Sequence, residues 1–367
     1  MVEIANLTSA RDMGQHRVNC IVILPPPVTG QTLVSRATSE AVVRAGRGRI
    51  WGVTNDRGLT GWRWTLAKHW RLLGALVRAG ALSRGRQRCY FVPDAGKGLW
   101  LNLIEAPLMR LGFREVWLHH HVFSYVRRRD WKMALLLKIL GTGVRHVVLG
   151  RPMSDGLAAR YGAARFHVLG NAAFVAEAPP GRTRDRLRTI GFLGNITRDK
   201  GIGLFIDTLR ALEAEGEAVK AVIAGPIADP ALRAEIAAFV AEAPDRRRAP
   251  GAVGGAAKRA FFDEIDLLLF PSLYANEALP LTIYEALAAG VPVLATRRGC
   301  IPDQLEGTGW TFDEAGFVAA AEAQAAAWRA DPARFAEASR TARALYSRRR
   351  AEDDRSLAAL VAKVTAP

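Results

Sequence analysis

Cysteine is scarce: three among 367 residues, Cys20, Cys89 and Cys300, far apart and odd in number. They form neither a disulfide framework nor a metal-ligand pattern and fit a reducing compartment. No run approaches 18 consecutive apolar residues, so no membrane-spanning helix is expected. The first 17 residues hold Glu3, Arg11, Asp12 and Arg17 without an apolar core segment, unlike a secretory signal, and the expectation is a cytoplasmic protein. Internal repeats, large low-complexity blocks and an Asp-rich metal motif are missing, as are the GxGxxG and Walker A phosphate fingerprints. Acidic residues are few in the first half: Arg plus Lys outnumber Asp plus Glu 26 to 10 through residue 180, then stand at 25 to 25. The formal charge of +16 therefore belongs to the first half. A basic half and a balanced half imply two domains with different partners, which the length also favours.

What is present is clearest between residues 261 and 299. Ile265–Phe270 is an apolar run of strand length ended by Pro271, Leu281–Ala289 reads as a helix closed by Gly290, and Val291–Ala295 as the next strand. This is a β-loop-α-β unit of an open parallel sheet, where ligands sit at the carboxyl ends of strands. Glu277 in the loop and Glu285, about one turn into the helix, share that crevice. Ionised carboxylates only accept hydrogen bonds, so the pair suits adjacent hydroxyls of a ribose or hexose. The plain alternative is a solvated helix residue and a Glu that caps an amide.

Residues 1–17 read as a loose lead-in. Asn19–Leu24 is the first buried strand, broken at Pro25, Pro26 and Pro27. Gly30 then leads into a helix from about Thr32, and the amides of Gln31 and Thr32 either meet a phosphate or sugar or form a mere connection. Residues 48–54 are a second strand. From Trp62, a helix carries Trp62, Leu66, Trp70, Leu73 and Val77 at helical spacing, with Arg63, Lys68, His69, Arg71 and Arg78 elsewhere. It lies either at a membrane interface or on the sheet with a solvated basic face.

Further strands at Cys89–Pro93 and Glu115–Leu118 follow, the second ending in His119, His120 and His121. Alternation along a strand argues against a three-histidine metal site and leaves one ring for the crevice. Arg127, Arg128 and Arg129 extend the basic surface. The polar segment Ala176–Arg188, with Pro179, Pro180 and Gly181, reads as the linker. Beyond it come a strand at Thr189–Leu193, a loop at Gly194–Gly201 and a helix at Leu204–Ala214. Lys200 beside Gly201 brings a cation and free amides to a strand end, suited to a phosphate. Val219–Ala224 is another strand, followed by a helix and irregular chain to Lys258. Trp310 and Phe312 are expected in the core, with helix from Ala315.

The segments PPPVTGQT, HHHVFSY, FLGNITRDKGI, AVIAGP, IDLLLFPS and EALPLTIYEALAAGVPVLA together resemble glycosyltransferase family 4, the retaining nucleotide-sugar transferases of GT-B fold, over residues 18–345. The resemblance implies an α/β chain of two facing Rossmann-like domains with parallel sheets and a cleft: an acceptor domain at 18–178, a nucleotide-sugar domain at 187–345 and a helical tail at 346–367. It places Glu285 on the donor ribose, Glu277 on the transferred sugar and Lys200 on the diphosphate, helped by the backbone of Ala278, Leu279, Pro280 and Leu281. Gly30 and Gln31 approach the donor, and Pro271 and Ser272 shape the pocket floor. Asn195 stands where relatives carry Arg, leaving one cation fewer. His120 touches sugar or acceptor and completes a catalytic set with Glu277 and Lys200, while His119, His121 and Arg127 lie on the acceptor side.

The implied chemistry is front-face displacement with retention, needing no metal and no cofactor beyond the donor. The implied acceptor is a lipid-linked saccharide in bacterial polysaccharide assembly, with peripheral contact at the anionic inner face of the cell membrane. The alternatives are a soluble transferase acting on a small or protein acceptor, and a non-catalytic or nucleic-acid-binding scaffold. The scaffold gives no reason for Glu277, Glu285 and Lys200, so no nucleic-acid partner is expected.

Overall fold

The computed structural model describes residues 17–26, 28–177, 184–216 and 218–366. Residues 1–16 of the lead-in expected at 1–17, the break at Pro27 and the turn residues Pro179, Pro180 and Gly181 lie outside them. The chain divides into two compact units, Met1–Phe174 with Glu352–Pro367, and Val175–Ala351.

The first unit alternates strand and helix: β1 Val18–Ile23, α1 Gly30–Arg44, β2 Gly48–Val53, α2 Gly61–Ser83, β3 Arg88–Phe91, α3 Gly98–Gly112, β4 Glu115–His119, α4 Ser124–Arg127, α5 Trp131–Leu140, β5 Val144–Val148, α6 Arg151–Tyr161 and β6 Phe166–Val168. The strands form one parallel sheet ordered β2-β1-β3-β4-β5-β6, with Cys20 paired to both Ile50 and Tyr90. Helices cover a parallel sheet on both faces, which is why its central strands read as apolar runs rather than alternating ones.

The second unit repeats the plan: β7 Thr189–Leu193, α7 Ile202–Ala214, β8 Lys220–Ala224, α8 Pro230–Ala241, β9 Arg247–Gly251, α9 Gly255–Glu264, β10 Leu267–Phe270, α10 Leu281–Ala288, β11 Val293–Thr296, α11 Ile301–Gln304, β12 Thr311–Phe312, α12 Phe317–Ala330 and α13 Pro332–Thr365. Its parallel sheet runs β12-β11-β10-β7-β8-β9. The chain builds outward from β7 through β8 to β9, then returns to the other side of β7 with β10. The switch point, where a crevice opens at the carboxyl ends of an open sheet, is thus between β7 and β10.

Four details depart from the pattern read in the sequence. First, residues 346–367 are not a separate tail. Residues 346–365 continue α13 without a break, and the part from Glu352 joins the first unit, with Leu360 and Val364 fully buried beside Val18 and Trp117. Asp353 there accepts from the amides of Gly170 and Ala172.

Second, the linker includes a buried anchor. Arg184, 2% exposed, donates to the carbonyls of Ile265, Phe262 and Ala289 at 3.1, 2.6 and 2.5 Å. Third, β9 has a mostly exposed, charged sequence and is recognisable only by its pairing to β8. Trp310 is buried as expected, whereas Phe312 is half-buried on the two-residue edge strand.

Fourth, the Trp-bearing stripe of α2 does not pack on the sheet. Trp62, Leu66, Trp70 and Val77 are exposed, and the buried face is Lys68, His69, Leu72, Ala75, Leu76 and Ala79. Two polar residues can lie inward because they are paired: Lys68 Nζ donates to Asp94 at 2.7 Å, and His69 Nδ1 lies 2.8 Å from Glu105.

Candidate functional site

In the second unit, both loops that carry predicted residues leave the switch point. The β7 loop ends in a short turn at Arg198–Lys200 and in Gly201, whose φ is +79°. A Cβ on Gly201 would sit 1.8 Å from the Pro271 carbonyl oxygen, so only glycine lets the β7 loop close against the β10 loop. Leu273 N donates to Asp199 O at 2.8 Å and fastens the same seam. On the far side, Thr296 Oγ1 donates to Ser272 O at 2.6 Å. Gly299 (φ +51°) lies so close under the backbone of Glu277 and Ala278 that a Cβ there would clash with both carbonyls.

This closure brings Lys200 Nζ to 2.6 Å from Glu277 Oε2 and to 4.5 Å from the centre of the Tyr274 ring. Ser272 Oγ donates to the same carboxylate oxygen at 2.8 Å. The pair is recessed but open to water, with the two side chains 24% and 11% exposed. Both contacts fall on Oε2 and hold the carboxylate in place.

Glu285, five residues into α10 by inclusive count from Leu281, forms a second pair: its Oε1 is 2.6 Å from Lys258 Nζ. Its Oε2 is buried and has no protein donor among the described residues. A buried acceptor without a donor is what a ligand hydroxyl would satisfy. α10 starts at Leu281 after Pro280, without a side-chain cap, so its first-turn amides and their partial positive charge are available to an anion.

The site therefore joins Lys200, Ser272, Glu277 and the start of α10, with Glu285 on the first turns of that helix. Ala278 and Leu279 are buried and can contribute only through their backbone, and Pro271 contributes its carbonyl to the Gly201 seam. Asn195 is exposed at the start of its loop. Lys258 and Tyr274 were not anticipated. Lys258 had one sequence signal, a lysine in the first turns of a helix opened by Gly254 and Gly255, where a cation opposes the helix dipole unless a carboxylate faces it.

In the first unit, Gly30 and Gln31 begin α1 at the carboxyl end of β1. Thr29 caps the helix, its Oγ1 accepting from Thr32 N at 3.2 Å while Thr32 Oγ1 accepts from Thr29 N at 2.9 Å. The helix thus starts at Gly30 rather than near Thr32. The Thr32 amide is already engaged, and Gly30 does not use a positive φ.

The histidine expectation needs correction. His120 is fully buried, its Nδ1 lying 3.0 Å from Tyr125 Oη and its Nε2 3.0 Å from His146 Nδ1. With both ring nitrogens engaged it has no atom left for a sugar, and it serves as a core residue. Its neighbours point the other way. His119 Nδ1 is hydrogen-bonded to Tyr90 Oη at 2.5 Å, and the His119 and His121 rings lie 4.1 Å apart. The Nε2 atoms of both are shielded from water and unpartnered among the described residues. Burial holds the pKa of His119 and His120 well below the usual value, and pushes His121 down to about 3 and His146 to about 4. Arg127 is exposed at the end of α4.

Residues 187–338 match the family described as Glycosyl transferases group 1. Over 130 residues the chain is 31% identical to the putative colanic acid biosynthesis glycosyltransferase WcaL of Salmonella typhimurium. Over 131 residues it is 30% identical to the amylovoran biosynthesis glycosyltransferase AmsK of Erwinia amylovora. Each match covers 33% of this chain and only 31% of the relative's length. The fold is similar to that of HepE from Anabaena, solved with UDP and glucose, with a TM-score of 0.67 at 15% identity over 95% of this chain and 100% of that one. Sucrose-phosphate synthase from Thermosynechococcus elongatus also gives 0.67, at 18% identity over 90% and 94% of the two chains.

Proposed function

We propose that this chain, whose residues 187–338 match the family described as Glycosyl transferases group 1, moves a sugar from a nucleoside diphosphate donor to a saccharide acceptor in polysaccharide assembly. The observation that carries the reading is the Lys200–Glu277 pair at the β7/β10 switch point, with the unpartnered Oε2 of Glu285 on the adjoining helix.

Each group has work suited to its chemistry. Glu285 accepts from ribose hydroxyls and Glu277 from the sugar's hydroxyls. Lys200 exchanges its contact with Glu277 for the diphosphate, joined by the first-turn amides of α10. As the glycosidic bond to the diphosphate breaks, negative charge grows on the leaving oxygen, and a cation with fixed amides stabilises it there. The carboxylates position the donor rather than attack it, so the acceptor hydroxyl adds from the face the diphosphate leaves, gives its proton to the departing diphosphate oxygen, and the anomeric configuration is retained. The reaction needs no divalent metal, since the cation and helix start supply the charge. The finer acceptor is a lipid-linked saccharide, in keeping with the polysaccharide-assembly relatives and the basic first unit.

The test is incubation with UDP-, GDP-, ADP- and TDP-sugars and saccharide acceptors, free or lipid-linked, following nucleoside diphosphate release and the anomer formed. One donor should be consumed with retention, before and after thorough chelation. Inversion, or loss on chelation reversed by magnesium, would overturn the mechanism. Folded protein inert to every donor would overturn the function.

A further inference from the structure

Thirteen large apolar side chains stand exposed among the described residues, and ten of them lie on α2, α3 and α5 of the first unit; the second unit has none. They are ordered. On α2, Trp62, Leu66, Trp70 and Val77 follow helical spacing and form one outward stripe, with Trp70 75% exposed. On α3, Trp100, Ile104 and Leu111 do the same, Leu111 being 80% exposed. On α5, Trp131 and Leu135 stand one turn apart.

The three stripes adjoin. A Cβ at Gly112 of α3 would come within 2.9 Å of Gly80 of α2, so glycines let those helices touch, and the Trp100 and Trp131 rings meet edge to face at 4.9 Å. Soluble surfaces rarely collect so much apolar area in one place without a partner for it.

Charge on the same helices identifies the partner. Across α2, α3 and α5 there is one carboxylate, Glu105, and it is turned inward to His69 and Asn102. Outward stand Arg63, Arg78, Arg110 and Lys138, with Arg127, Arg128 and Arg129 ahead of Asp130, the carboxylate that caps α5 and pairs with Lys132. The indole N–H groups of Trp51 and Trp117 are taken by Asn19 and Glu115, whereas those of Trp62, Trp70, Trp100 and Trp131 donate to no protein acceptor among the described residues. An aliphatic ridge bordered by tryptophans with free N–H groups and by unopposed cations matches a bilayer interface, where indoles sit at headgroup depth and cations meet anionic lipid. Nucleic acid would take the cations but gives no role to Leu66, Ile104 and Leu111.

We infer that the joined outer faces of α2, α3 and α5 dock on the surface of an anionic bilayer, holding the first unit where a membrane-anchored acceptor is presented. The surface rests on the proposed transfer only for that acceptor, since docking itself requires no chemistry. No helix among the described residues is long and apolar enough to cross a membrane, so the contact is a peripheral one.

The experiment is flotation of the full chain with vesicles of phosphatidylcholine alone or mixed with phosphatidylglycerol, at low and high salt. It compares the wild type, the double variant Trp70→Glu with Ile104→Glu, and the control Val43→Glu, an exposed apolar site on α1. Thermal melting and nucleotide-sugar binding are measured on all three, so that a folding defect or an inert donor site is seen separately from lost docking. Wild type and control should float with phosphatidylglycerol vesicles, less so at high salt, and the double variant should lose at least about tenfold in partitioning while melting and donor binding hold. Absence of flotation at low salt, or equal flotation of the double variant, would overturn the inference. A wild-type dimer that the double variant dissolves, without vesicle binding, would instead assign the face to a second copy of the chain.

Discussion

Lys200 Nζ and Glu277 Oε2, 2.6 Å apart, join the loop after β7 to the loop after β10 at the switch point of the second sheet. The side chains remain partly open to water, so the pair adds little to stability. Lys200→Met and Glu277→Gln should each lower kcat by about 100-fold or more while leaving unfolding almost unchanged. Steady-state kinetics beside urea titrations checks this, and a large stability loss with normal kcat would make the pair a structural clamp.

Gly201 makes that meeting possible. Gly201→Ala combines a strained φ with a Cβ 1.8 Å from the Pro271 oxygen, so the loops must part. A loss of about 2–4 kcal/mol is expected, with lower activity. Gly203→Ala, in open space within α7, is the matched control and should be tolerated.

Arg184→Met should destabilise the second unit by about 3 kcal/mol, because three buried carbonyls lose their donor together. Urea unfolding of the purified variant measures it. A change within experimental scatter would mean that water replaces the guanidinium.

Acid should weaken the first unit specifically. All seven histidines precede residue 168, and burial lowers the folded pKa of His119, His120, His121 and His146. The unfolded chain takes up protons below about pH 6.5 while these rings stay neutral in the fold. Their contribution is therefore complete above that pH and is lost as pH falls, the loss continuing to about 4 for His146 and about 3 for His121. Hydrogen exchange at pH 7.5 and 5.0, corrected for intrinsic rates, should show peptides of β4 and β5 losing protection while those of β7 and β10 keep theirs.

Much of this was legible in the sequence. Apolar runs ended by proline or glycine marked the strands and loops, and a strand-loop-helix frame was enough to put Lys200 and Glu277 after strand ends and Glu285 on the adjoining helix. Contacts across the fold were not legible. Alternation along β4 left one ring for the crevice without saying which, the resemblance put His120 there, and the partner that holds it in the core, His146, comes from the adjacent strand. Helical spacing on α2 revealed a stripe but not its direction, which depends on Asp94 and Glu105 drawing Lys68 and His69 inward. Lys258 reaches Glu285 across 27 residues, and β9 is defined by pairing rather than by its own apolar content.

The most direct measurement is calorimetric titration of nucleotide sugars into the wild type and Glu285→Ala, with melting curves to show that both are folded. The account predicts saturable binding of one donor and at least about a tenfold weaker affinity in the variant, because ribose hydroxyls lose their acceptor. Equal affinity in the two proteins would contradict it by placing the donor elsewhere.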